Sequence, residues 1–323
     1  MSESPLIWLP RHKEIILPAL KTKLQGFYRM RAVRADGSQR LLADWFPNLI
    51  TNGGLDQFAA GNEFSLCAVG SGNTAPAVTN TQLVSLVGTT TTSVVISQTT
   101  QSVSPYMSAY EVQFQFPIGG ATGNLSEVGI GSSATALFSR ALILNGVGSP
   151  TTITILSSEA LYVDYTLQIL PPLTDVTGTV TLNGVVYNTT VRASQVTNLS
   201  YWCNPAEGLG LGNPNANFST FVSDGALGPI TGGPTGGTGN TGTFTITNGP
   251  YVNGTYTYPM SVTYGLTAAN YANGISIWGL TMNGSSNGRG AFQIGFASGT
   301  TPPGIAKTGS YTLVLNAQMS WTA

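Results

Sequence analysis

The stretch LYVDYTLQI, residues 161–169, places Leu161, Val163, Tyr165, Leu167 and Ile169 at alternate positions, with Tyr162, Asp164, Thr166 and Gln168 between them. A period of two is the mark of a strand with one face on a core and the other toward water. Outward from it, SVVISQTT (93–100), AYEVQFQF (109–116), TTITILSS (151–158) and SYTLVLNAQMSW (310–321) are further short β-branched or aromatic runs. Gly, Pro, Asn and Ser separate them, as they separate strands. Helical periodicity is nearly confined to one short segment starting near Asn52 and running through Leu55 and Phe58, with a further turn or two expected after Pro18, between Ile15 and Leu24. The pattern predicts an all-β chain of β-sandwich-like domains.

Two dipeptides punctuate it. Asp36-Gly37 lies between FYRMRAV and QRLLADWF, and Asn183-Gly184 between GTVTL and VVYNTTV. Both favour the positive φ angles of a type I′ hairpin turn. Other features recur at nearly the same spacing, with offsets of 147 to 154 residues: Asn124 with Asn273, Met107-Ser108 with Met260-Ser261, Phe138 with Phe292, Leu161 with Tyr311. We read these as a tandem duplication. The expected organisation is an extended N-terminal arm (1–25), a first β-domain (26–172) ending at Pro171-Pro172, and a divergent second β-domain (173–323). The second carries an extra segment, GPITGGPTGGTGNTG (228–242), expected as a flexible surface loop.

Only 8% of the 323 residues are charged, against roughly 25% in ordinary globular chains. A surface of Gly, Thr, Ser and Asn suits a protein packed against copies of itself or its neighbours. The first forty residues hold eight of the twelve cations, opposed by Glu3, Glu14 and Asp36, a net of +5 that leaves −6 on the rest. No Lys/Arg run of the kind that binds nucleic acid occurs, and Pro5, Pro10 and Pro18 interrupt any amphipathic helix. The expected partner of the arm is therefore a protein, docked through Trp8 as apolar anchor with Arg11 and Lys13 at the rim. No secretory signal and no apolar window of membrane-spanning length is visible, so neither export nor membrane insertion is expected.

Chemistry has few candidates. The single histidine, His12, lies in the arm, and the cysteines, Cys67 and Cys203, are isolated; no metal or cofactor motif is present. Glu111, Glu127, Glu159 and Asp164 are the carboxylates from which a glycosidase pair would have to come. Tyr251, Tyr256 and Tyr258, with Tyr264 and Tyr271 nearby, could stack on sugar rings or pack within the fold.

The ordered motifs FPNLITNGGLDQF (46–58), VGSGNTAPAVTNTQL (69–83), LSEVGIG (125–131), LFSRALI (137–143) and LYVDYTLQI (161–169) resemble virion structural proteins of tailed bacteriophages, those of the tail, tail fibre or baseplate. The resemblance spans about residues 45–170 and, more faintly, the second half. It implies a non-catalytic, β-rich homo-oligomer, a trimer in our expectation, made in the host cytoplasm and assembled into the particle beside other tail proteins. A host-glycan-binding module and a capsid decoration protein are the alternatives.

Overall fold

The computed structural model describes residues 11–18, 20–61, 64–198, 219–239, 243–281, 291–300 and 303–323. The chain is nearly all β, in several sheets with no barrel. The first half contains β1 (Arg11–Ile16), β2 (Leu20–Arg34), β3 (Gln39–Pro47), β4 (Leu49–Ile50), β5 (Leu66–Gly70), β6 (Leu86–Thr90), β7 (Ser93–Gln101) and β8 (Met107–Phe116). It continues with β9 (Gly123–Leu125), β10 (Glu127–Ser133), β11 (Ala136–Leu142), β12 (Ile153–Ile155) and β13 (Glu159–Leu170). The second half holds β14 (Val176–Leu182), β15 (Val185–Ala193), β16 (Ser219–Ser223), β17 (Phe244–Asn248), β18 (Thr257–Tyr264), β19 (Ile277–Thr281), β20 (Phe292–Ala297) and β21 (Tyr311–Thr322).

One helix, α1 (Asn52–Ala60), forms where expected. The Thr51 hydroxyl accepts from the Gly54 N–H at its start, and Gly61 closes it in a left-handed conformation (φ 67°).

The alternation in 161–169 is realised side chain by side chain. Leu161, Val163, Tyr165, Leu167 and Ile169 of β13 are buried, while Tyr162, Thr166 and Gln168 face outward. Each such apolar burial contributes roughly 1.5–3 kcal/mol, so this strand alone anchors much of the core. It lies at the middle of a nine-stranded sheet, ordered β17-β18-β21-β2-β13-β8-β7, with β1 also on β21 and β3 also on β2. Two five-stranded sheets lie beside it, β4-β11-β10-β5-β6 and β14-β15-β20-β19-β16, and β9 pairs with β12. Packing joins the layers: the Phe138 and Tyr165 rings meet edge-on at 6.5 Å, and the Tyr28 and Ser139 hydroxyls bond at 2.7 Å. In the second half the Tyr264 hydroxyl meets Thr220 Oγ1 at 3.2 Å.

The pairing order recurs between the halves. β5-β10-β11 corresponds to β16-β19-β20, and β7-β8-β13 to β17-β18-β21. The difference lies beside the last strand. β13 has β2 as its antiparallel neighbour, whereas β21 is flanked by β1 and the start of β2, both parallel to it.

Three expectations change. The expected helical turn between Ile15 and Leu24 gives way to strands, and the extended arm is part of the sheet from Arg11: β1 pairs Arg11 to Ile16 with Tyr311 to Asn316, and β2 starts at Leu20 and runs through the expected boundary at residue 25. Only the Asn183-Gly184 turn has both residues at positive φ (57° and 76°); at Asp36-Gly37 it is Gly37 alone (83°), because Arg34 pairs with Ser38 across a three-residue loop. The Gly-rich segment is fastened rather than free over residues 228–239. Thr235 exchanges backbone hydrogen bonds with Ala226, Gln293 takes the Gly228 N–H, and Asp224 takes that of Thr238.

Candidate assembly interface

The residues singled out in the sequence are scattered. Trp8 lies outside the described residues. Arg11 begins β1 opposite Tyr311. The Lys13 ammonium donates to Asn183 Oδ1 in the β14–β15 turn and sits 4.5 Å from the centre of the Tyr311 ring. Lys13 is thus engaged within its own chain, where β1 joins the two halves, and is a poor candidate for an outer docking rim.

The tyrosines do not form a platform. Tyr258 is 5% exposed and points into the core from β18, as Tyr264 does, so it offers no ring face to a sugar. Tyr256 packs against the core, and its carbonyl accepts the Trp321 N–H. Tyr251 stacks on Trp321 at 5.7 Å and donates its hydroxyl to Asp56. Burial, reinforced by the Asp56 carboxylate, raises the Tyr251 hydroxyl well above the ordinary tyrosine pKa. Tyr251 is therefore part of the joint between α1 and the end of β21.

The four candidate carboxylates are each committed to arginine. Asp164, buried, accepts from Arg29, Arg31 and Gln113, and Arg29 also lies 3.6 Å from Glu111. Glu159 is held below its ordinary pKa first by the Leu156 N–H and then by Arg40. Glu127 and Arg140 form a pair without solvent exposure. Glu127 also accepts the N–H groups of Gly72, Val84 and Ser85, while Arg140 donates to the Thr74 carbonyl and Asn80 Oδ1. The pair clamps loop 71–85, the loop that contains most of the VGSGNTAPAVTNTQL motif. A Cβ at position 72 would lie 2.4 Å from Glu127 Oε1, so glycine is needed for the carboxylate to approach. Among the described residues, no group of three or more His, Cys, Asp and Glu gathers as metal ligands would. Cys67 is buried and unpaired, and Cys203 lies outside the described residues.

What the structure does bring together is a pair of sheet edges. β6 ends its five-stranded sheet, β7 ends the nine-stranded one, and Thr91-Thr92 joins them directly. Val84, Leu86 and Val87 by β6, with Val94, Val95 and Ile96 on β7, are between 40 and 56% exposed. From Phe64 to Tyr110 the chain has no charged residue. Natural edge strands are usually guarded by lysine or proline, because their unpaired N–H and C=O groups recruit other strands; β7 has neither, only a bulge between Val95 and Ser97. At the opposite end of the same sheet β17 is also uncharged and unpaired on its outer side among the described residues, with Phe244 exposed. In the sequence this edge shows only as the uncharged stretch 64–110, which overall composition averages away.

No protein-family model, no curated protein and no solved structure matches this chain.

Proposed function

We propose that the chain is a non-enzymatic structural subunit of a tailed-phage particle, a tail-fibre or tail-attachment component, joined head to tail with its own copies into a closed ring. The observation that carries this reading is the charge-free β6–β7 edge. An exposed apolar edge strand is a liability in a solitary protein and a joint in an assembly. Its occupant is a second copy, because the other free end of the same sheet, β17, is uncharged as well. Pairing β7 of one copy with β17 of the next meets no like-charge repulsion and extends the sheet. Such heterologous contacts form a ring when the rotation from copy to copy closes and a filament when it does not; a closed ring of three copies would present six similar halves, suited to a threefold appendage on a sixfold tail. The recurring pairing order supports treating the halves as duplicates of one domain. The phage context rests on the motif resemblance over residues 45–170 and on the 8% charge.

Val95→Lys on β7 and Thr245→Lys on β17 test the joint. An unpaired charge in a closed interface costs about 2–5 kcal/mol, roughly thirtyfold to several thousandfold in Kd. Each variant alone should sediment as a monomer at micromolar concentration. Mixed, they should form a dimer, since each keeps the edge the other has lost. A variant that retains the wild-type mass, or a mixture that stays monomeric, contradicts the head-to-tail joint.

A further inference from the structure

The outer face of the nine-stranded sheet contains a second feature, a groove that reaches β7 from the sheet's face rather than from its open edge. A groove of about 320 Å³ crosses β13 and β8 between β3 and β7, within the roughly 300–1,000 Å³ range of small-ligand sites. Both flanks are bulged: the β2–β3 register shifts around Met30, and the β7–β8 register shifts between Val95 and Ser97. Bulges bend an edge and re-aim its side chains, which makes this face concave.

Phe27 and Trp45 form one wall. Trp45 is 38% exposed, a large cost for an indole with no ligand, and the Arg29 guanidinium lies 4.6 Å from its ring centre. Ser97 and Thr99 line the opposite wall, and Thr166, Gln168 and Glu111 form the floor. Strand pairing sets the floor groups in rows: Phe27, Thr166, Glu111 and Ser97 in one, Gln25, Gln168, Ala109 and Thr99 in the next. Adjacent strands lie about 4.8 Å apart, so hydroxyl, amide and carboxylate groups follow one another across the groove from strand to strand. The side-chain hydroxyls of Thr99 and Thr166 make no hydrogen bond among the described residues.

The electrostatics narrow the ligand class. Arg29 and Arg31 are balanced by Asp164 and Glu111, in contacts of 2.9 to 3.6 Å. No net charge remains to attract phosphate, a carboxylated ligand or a cation. An aromatic wall beside a charge-balanced floor of donors and acceptors matches a neutral pyranose, whose C–H face packs on a ring while its hydroxyls take the polar groups. We infer that this groove is a binding site for a neutral saccharide unit, formed by the first half of the chain and separate from the second-half tyrosines.

The test uses the full chain on an array of neutral oligosaccharides built from glucose, galactose and N-acetylglucosamine, with acidic glycans and unstructured peptides as parallel arms. Wild type should retain at least one neutral oligosaccharide, and Trp45→Ala should weaken it tenfold or more. Thr166→Val, nearly isosteric, should weaken it severalfold while the thermal melt stays unchanged, which separates loss of binding from loss of fold. The inference is overturned if no neutral sugar binds, if acidic glycans or peptides bind in preference, or if binding survives both substitutions. Thr245→Lys on β17, at the far end of the sheet from the groove, should leave sugar binding by the monomer intact, so failure of the groove and failure of the ring give different results.

Discussion

Replacing Arg140 with methionine is expected to cost about 3–5 kcal/mol, the loss seen when one member of a buried ion pair is removed, and to loosen loop 71–85. The guanidinium donates from Nε and Nη2 to Glu127 at 2.9 and 2.8 Å, from Nη2 also to the Thr74 carbonyl, and from Nη1 to Asn80 Oδ1, at 2.8 Å each. Methionine fills similar volume but leaves the Glu127 carboxylate charged, buried and short of its main partner. Total stability of a folded chain is about 5–15 kcal/mol, so the variant should be close to unfolding at moderate temperature. A urea melt measures the loss, and limited proteolysis should cut between Ser71 and Ser85 in the variant only. Glu127→Gln combined with Arg140→Met should recover part of the stability, because the orphaned charge is gone. If Arg140→Met alone melts within about 1 kcal/mol of wild type, the pair does not clamp the loop as described.

Trp321→Ala is the second large expected effect, again about 3–5 kcal/mol from the cavity left by an indole. Trp321, one residue before the end of β21, is buried, with the Phe58 ring 5.5 Å away and the Tyr251 ring 5.7 Å away. Its Nε1–H donates to the Leu55 carbonyl at 2.8 Å. The loss therefore falls at the joint where the C-terminal strand meets α1 of the first half. Chemical denaturation should show an earlier and broader transition for the alanine variant, as the halves cease to unfold together. Trp321→Phe keeps the ring contacts and loses the hydrogen bond, for an expected cost of about 1–3 kcal/mol. Equal effects of the two substitutions would mean that the hydrogen bond, not the packing, dominates.

The strands that could be read from the sequence were those whose pattern is complete within one short window. LYVDYTLQI alternates cleanly because one face of β13 meets the core, and α1 was legible because Leu55 and Phe58 sit at helical spacing after Asn52. The N-terminal strands were hidden by their prolines and charges. Yet Lys21, Lys23, Arg29 and Arg31 alternate with buried Thr22, Leu24, Tyr28 and Met30, the same period-two rule with charge on the outer face. That β1 would lie parallel to β21, 300 residues away, has no local signal, because parallel partners are chosen by the whole sheet. The tyrosine cluster left two readings open, sugar stacking or packing within the fold, for a related reason: Tyr258, Met260, Val262 and Tyr264 share one face of β18, and only the sheet shows that this face is turned inward. Paired charges were equally unreadable. Arg140 and Glu127 are thirteen positions apart in sequence, and only the β10–β11 hairpin puts them side by side.

The same limit applies to the edge on which the functional reading depends. A residue count records few charges, but only the sheet order shows that the uncharged stretch forms two adjoining free edges. The most direct measurement is the mass of the purified wild-type chain in solution, by light scattering at micromolar concentration. A closed ring of three copies predicts about 101 kDa, three times the 33.6 kDa of one chain. A stable 33.6 kDa particle across that range would contradict the account at its centre.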